Sequence, residues 1–191
     1  MSFSAGILSF MILLAMTLFG LSYNFKFIPL AARRGQLRRI KDIPGSKTIL
    51  ITIAWGTVTC FLPAVANQNN LLPVVAVFIF ATGLVFARTA FFDILAIQGD
   101  RITGKETLPI LMGEKQSFKI IQYVLLLDIC IVLSASLMDL LVNKAFVLAF
   151  IPFIMLLLIR FFKNDTTISS VHGEFIIESS FLGAGLVSAV I

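Results

Sequence analysis

Residues 48–87 contain no Asp, Glu, Lys or Arg, forty positions in a row. A bilayer core of about 30 Å is crossed by about 20 helical residues at about 1.5 Å each, so this stretch is too long for one crossing and the right length for two. Pro63 and the polar run Asn67, Gln68, Asn69 and Asn70 are the signals that divide it. Comparable uncharged or nearly uncharged stretches occupy positions 3–23, about 118–140, about 146–162 and about 175–191. The last of them contains Glu178 and is the least regular. Six membrane-spanning helices are therefore expected, making an all-α, polytopic helical bundle with one transmembrane domain over residues 1–191.

Composition agrees with that class. Hydrophobic residues make up 59% of the chain and charged residues 13%, against about 25% charged in an ordinary soluble domain. A water-soluble monomer, a disordered regulator and a disulfide-built secreted module are all excluded. Cys60 and Cys130 lie in apolar runs and read as small buried hydrophobes, and the single His172 makes no zinc-ligand spacing with them.

The net charge of +5 does not point to nucleic acid, because its distribution follows the spans. Segment 24–48 holds Lys26, Arg33, Arg34, Arg38, Arg39, Lys41 and Lys47; segment 88–119 holds Arg88, Arg101, Lys105, Lys115 and Lys119; Arg160 and Lys163 follow the fifth span. These are alternate loops, and only Lys144 falls on the other side, a division of fourteen to one. Positive charge marks the cytoplasmic side. Both termini are then expected on the far face of a cell (inner) membrane, with a first helix that is retained and not a signal peptide.

The polar chemistry concentrates after the third span, in Asp93-Ile94-Leu95-Ala96-Ile97-Gln98-Gly99-Asp100-Arg101-Ile102-Thr103-Gly104-Lys105-Glu106-Thr107-Leu108-Pro109. If the helix continues past Arg88, Asp93 and Asp100 lie seven residues apart, close to two turns of about 3.6 residues each, on one face and about 10.5 Å apart along the axis. That separation is too wide to clamp a single ion. It suits two Mg²⁺ ions held by a multiply charged ligand such as a diphosphate, which brings its own oxygens. Gly99 and Gly104 allow tight turns around such a ligand. The same residues also admit plainer readings: Asp93 as an interface carboxylate paired with Arg88 or Arg101, the segment 100–105 as a polar turn, or a proton or cation pathway that includes Asp128.

The whole run resembles the second aspartate-rich motif of the UbiA superfamily of intramembrane aromatic prenyltransferases. Tyr23 through Lys26, the basic loop and Asp42-Ile43-Pro44-Gly45-Ser46-Lys47 resemble the loop after that family's fourth helix. The resemblance implies a nine-helix fold of which these six spans are the last six. It also implies Mg²⁺-dependent transfer of a prenyl group from an allylic prenyl diphosphate to an aromatic or other hydrophobic acceptor, as in isoprenoid and quinone biosynthesis. Carried across, Asp93 and Asp100 hold the metal. Lys47, Arg101 and Lys105 neutralise the leaving diphosphate, and Tyr23 stands at the mouth of the cavity.

Two departures qualify the resemblance. Ala96 stands where many members have a third aspartate, and the first aspartate-rich motif has no counterpart, since Asp42, Asp128, Asp139 and Asp165 are isolated. The expectation is a C-terminal two-thirds of such an enzyme, either a catalytically incomplete remnant or a subunit completed by an upstream fragment. A small membrane transporter is the less favoured alternative. Asp128, mid-span, is expected to face the bundle and hydrogen-bond between helices, while Glu174 and Glu178 share a face of the last span as rim or packing groups.

Overall fold

The computed structural model describes residues 6–23, 25–29, 37–40, 43, 45–67, 70–105, 107–142, 144–164 and 170–190. Arg33, Arg34, Lys41, Asp42, Pro44, Gln68, Asn69, Glu106 and Asp165 lie outside the described residues. Among the described residues four helices, against the six expected, are long and apolar enough to cross a membrane: Ser46–Ala66, Leu71–Leu95, Glu114–Leu137 and Ala145–Lys163. The protein is therefore an integral, multi-pass, mostly helical membrane protein. Helix α1 (Ile7–Ser22) is apolar but has 16 residues, and α9 (Ser170–Val190) occupies the position of the expected last span.

The forty uncharged residues do form two helices, but Pro63 is not the divider. Helix α2 (Ser46–Gly56) widens into a π-helical turn at Thr57–Phe61 and continues as α3 (Leu62–Ala66), with Pro63 inside it. A proline ring collides with the carbonyl four residues back in a regular helix. A π turn immediately ahead loosens that ladder and lets the span run on. The division falls at the Asn-rich run, after which α4 (Leu71–Leu95) begins.

The expectation of an all-α chain is corrected in the basic loop. Lys26–Pro29 (β1) and Leu37–Arg39 (β2) pair antiparallel, with Lys26 opposite Arg39 and Pro29 opposite Leu37. Beyond α4, the segment carrying the motif folds into two short helices, α5 (Ile97–Thr103) and α6 (Leu108–Met112). It then enters α7 (Glu114–Leu137), a 3-10 turn at Ala145–Ala149 and α8 (Phe150–Asn164).

Helix α4 is the central element, packed mainly on α7 and α2; α7 packs on α8, α8 on α9, and α9 returns to touch α4. The core is a helical stripe on each: Leu84, Ala87, Phe91 and Ile94 on α4, Phe118, Ile121 and Leu125 on α7, Ile151, Met155 and Ile159 on α8, and Ile177 on α9. Phe91 sits edge-on between Phe118 and Phe162, with ring centroids at 6.4 and 5.7 Å, contacts worth about 0.5–1.5 kcal/mol each beyond burial. Many remaining large apolar side chains, such as Leu126, Leu127 and Phe150, are exposed, as lipid-facing residues of a membrane bundle are. Cys60 is half-buried and Cys130 exposed, both free thiols; the expectation of two buried cysteines does not hold.

Two carboxylates outside the motif behave differently from each other. Glu178 of α9 accepts from the Arg88 guanidinium of α4, which also lies 4.7 Å from the centre of the Phe92 ring. Arg88 is thus not the partner of Asp93. Asp128 of α7 is 1% exposed, and neither carboxylate oxygen has a hydrogen-bond partner among the described residues. Its carboxylate occupies the space a Cβ at Gly83 of α4 would need. The expected interhelical hydrogen bond of Asp128 is not formed.

Candidate functional site

Helix α4 does not continue through the motif. Ala96 (φ −86°, ψ 1°) is a one-residue pivot: its N–H still donates to the Phe92 carbonyl at 2.9 Å, and its carbonyl accepts from the Asp100 N–H at 3.0 Å to start α5. The single-helix geometry expected for Asp93 and Asp100 is therefore corrected. Both aspartates nevertheless line one cavity of about 470 Å³, together with Tyr23, Lys47, Thr48, Lys105 and Thr107. Ala96 itself is exposed at the pivot. Gly99 lies within α5 and makes no turn.

Each carboxylate is placed by a specific partner. Asp93 is 5% exposed, and its Oδ2 accepts from the Thr48 hydroxyl of α2 at 2.7 Å. Thr48 is wholly buried in the α2–α4 contact, so this bond links two spans across 45 residues of chain. Asp100 is 7% exposed and pairs through Oδ1 with Lys105 Nζ at 3.2 Å. That pair depends on Gly104. Its left-handed backbone (φ 68°) ends α5 and folds the chain back, so that the Lys105 N–H donates to the Asp100 carbonyl at 3.0 Å, the hydrogen-bond pattern of a glycine-closed helix terminus.

A second glycine closes the opposite wall. Gly45, also left-handed (φ 71°), begins α2, and a Cβ there would lie 2.7 Å from Leu108 Cδ2. The tight approach sets the first turn of α2 against the start of α6, and Ser46 and Thr107 both line the cavity. Lys47 is exposed at the cavity wall, and Tyr23, the residue after α1, lies at its edge. Arg101 is exposed on α5 and does not line the cavity, because it follows a buried Asp100 by one residue, about 100° around the helix.

Of the residues singled out from the sequence, Asp93, Asp100, Lys47, Lys105 and Tyr23 line the cavity; Ser46, Thr48 and Thr107 line it too and were not among them. The available signal was Gly45-Ser46 heading an apolar run and Thr107 heading Leu108-Pro109, each the start of a helix. Chemically, the site offers hard oxygen donors on one wall and ammonium groups at the rim, beneath a membrane-embedded bundle. Among the described residues, no three His, Cys, Asp or Glu side chains come together as a metal-holding group. A sequence profile described as the UbiA prenyltransferase family matches residues 1–170 of the 191. No curated protein and no solved structure matches the chain.

Proposed function

The chain belongs to the UbiA prenyltransferase family, and from that premise we propose that its polar cavity is one wall of a prenyl-transfer site, binding an allylic prenyl diphosphate through Mg²⁺ but short of the ligands that turnover requires. The observation that carries this reading is the convergence of Asp93, Asp100, Lys47 and Lys105 on one cavity at the ends of membrane helices.

The donor set fits magnesium. Mg²⁺ is commonly held by one or two carboxylates plus substrate phosphates, not by an all-protein cage, so two buried aspartates without a third ligand are what a substrate-bridged ion needs from one wall. Each aspartate has one oxygen engaged, by Thr48 or Lys105, and a second directed to neither partner. When bound, the metal supplies Lewis-acid stabilisation of charge on the leaving diphosphate.

The chain's own residues do the rest. Thr48 fixes the Asp93 rotamer. Lys47 and Lys105 offset negative charge as the allylic carbon–oxygen bond breaks, a preorganised electrostatic contribution. The surrounding apolar helices exclude water from the allylic carbon and house its tail and the hydrophobic acceptor. In this reading α1 and α9 are the first and last of six spans, the cavity faces the cytoplasm, and the six are part of a nine-helix arrangement.

The site is incomplete in a definite sense. A diphosphate carries about three negative charges, and Mg²⁺ takes near-octahedral oxygen coordination. Here both carboxylates come from α4 and α5. We infer that a further carboxylate-bearing segment must face them for efficient transfer, which makes this chain a subunit or remnant. Calorimetric titration of the chain in nanodiscs with geranyl diphosphate tests the reading. Weak binding that Mg²⁺ strengthens, with that Mg²⁺ increment lost in Asp93→Asn and Asp100→Asn, is expected, with prenyl transfer to added aromatic acceptors below detection. A Mg²⁺ increment that ignores both substitutions, or rapid turnover by the chain alone, would refute it.

A further inference from the structure

The wall facing the two aspartates carries polar atoms that the metal reading leaves unused. Thr107 is 8% exposed and sits in extended conformation (φ −88°, ψ 163°) at the start of α6. A threonine there ordinarily caps the helix through its hydroxyl. This one does not: its carbonyl accepts from Ile110 and Leu111 at 3.1 and 3.3 Å, while its Oγ1, which lies buried at the cavity, has no hydrogen-bond partner among the described residues. The Oγ of Ser46, which lines the same cavity, is likewise buried and without a partner among the described residues. Buried hydroxyls are nearly always bonded, so two orphans on one cavity wall call for a ligand rich in acceptor oxygens.

The backbone beneath them points the same way. The first helical bond of α2 runs from the Ile49 N–H to the Gly45 carbonyl at 3.1 Å, so the N–H groups of Lys47 and Thr48 precede the ladder and project from the helix end. No acidic residue occupies that turn, and Lys47 within it is exposed and lines the cavity. A helix N-terminus of this kind attracts anions by its dipole and its donors. The Thr48 hydroxyl takes no part, since it is committed to Asp93.

We propose that Ser46, Thr107 and the first turn of α2 form a direct, metal-independent seat for one phosphoryl group. The seat rests on the reading of the cavity as a diphosphate site. It adds that one phosphate is held by hydroxyls, backbone N–H groups and Lys47, leaving the other to the aspartate wall. Two positive poles, one fixed in the fold and one metallic, then grip a single diphosphate from opposite sides.

The test uses the full chain in phosphatidylcholine nanodiscs, titrated with inorganic diphosphate in EDTA and again in Mg²⁺. Binding in EDTA is expected, weakened at least about tenfold by Thr107→Val and further by Ser46→Ala with Thr107→Val, and regained in Thr107→Ser. Asp93→Asn should strengthen binding in EDTA by removing a like charge while abolishing the Mg²⁺ increment. No binding in EDTA, or binding indifferent to Thr107→Val, overturns the seat. Retention of the Thr107-dependent phase with no Mg²⁺ increment in the unsubstituted chain would instead refute the metal reading and leave the seat standing. Phosphatidylglycerol nanodiscs supply the remaining arm: displacement of diphosphate by that lipid through Thr107 would make the seat a headgroup site and overturn its assignment to substrate.

Discussion

Inserting a methyl group at Gly83 should destabilise the bundle, and removing the Asp128 carboxylate should rescue it. In Gly83→Ala, the new Cβ falls within the Asp128 carboxylate, which is 1% exposed and enclosed at the α4–α7 crossing, so the side chain cannot swing aside without parting the two helices. Overpacking costs about 1–3 kcal/mol, here about 2–3 kcal/mol because the carboxylate is enclosed, against a gain of about 1 kcal/mol from replacing glycine by alanine in a helix, leaving a net loss of roughly 1–2 kcal/mol. Asp128→Ala has a different balance. It deletes two unpartnered buried oxygens, whose desolvation penalty is about 1–3 kcal/mol or more for a charged group. The void it leaves is about the size of one water, ~30 Å³, which at ~24 cal/mol per Å³ costs under about 1 kcal/mol.

Asp128→Ala alone is therefore expected to be neutral or stabilising. In the double variant the alanine methyl at position 83 fills the vacated space, making it more stable than the sum of the single effects by about 2–3 kcal/mol, within the range seen for contacting residues. Reversible unfolding in mixed micelles, followed by tryptophan fluorescence from Trp55, gives the four free energies of the cycle. Additive effects, or a Gly83→Ala variant as stable as the parent, would refute the packing argument.

Thr48→Val should weaken Mg²⁺-dependent binding of geranyl diphosphate about tenfold, because it removes a hydroxyl donor to a buried carboxylate; Thr48→Ser should restore it, measured by the same titration. Arg88→Glu and Glu178→Arg, each of which places like charges where an ion pair joins α4 to α9, should lower the melting temperature by several degrees, and the reciprocal double variant should recover most of that loss. Gly45→Ala should cost about 2–4 kcal/mol, from left-handed backbone strain and collision with Leu108; adding Leu108→Ala should recover only the collision part, read by thermal unfolding. Single cysteines replacing Lys105 and Lys144 should react with impermeant maleimides from opposite faces of the membrane, and labelling of both from one face would refute the alternating-charge topology.

The membrane class of this protein and the break between Ala66 and Leu71 were legible in the sequence, because each is decided locally. A helix in lipid satisfies its own backbone hydrogen bonds, so twenty apolar residues are sufficient reason for a span, and the run of Asn and Gln after Ala66 interrupts one wherever the rest of the chain lies. The motif from Asp93 to Pro109 was legible as well, since its chemistry is carried by residue types in order. The facing of the helices was not. In a span that is apolar on every side, no stripe distinguishes the surface against lipid from the surface against protein, and sequence periodicity leaves the rotation of α2, α4 and α7 undetermined. That rotation is what gives Asp93 the hydroxyl of Thr48, and not Arg88, as its partner. It also puts Arg88 against Glu178, presses Asp128 onto Gly83, and brings Ser46 to the cavity. The pivot at Ala96 belongs with these: Ala is among the best helix formers, and only the tertiary packing of α5 and α6 beneath the bundle ends the helix there.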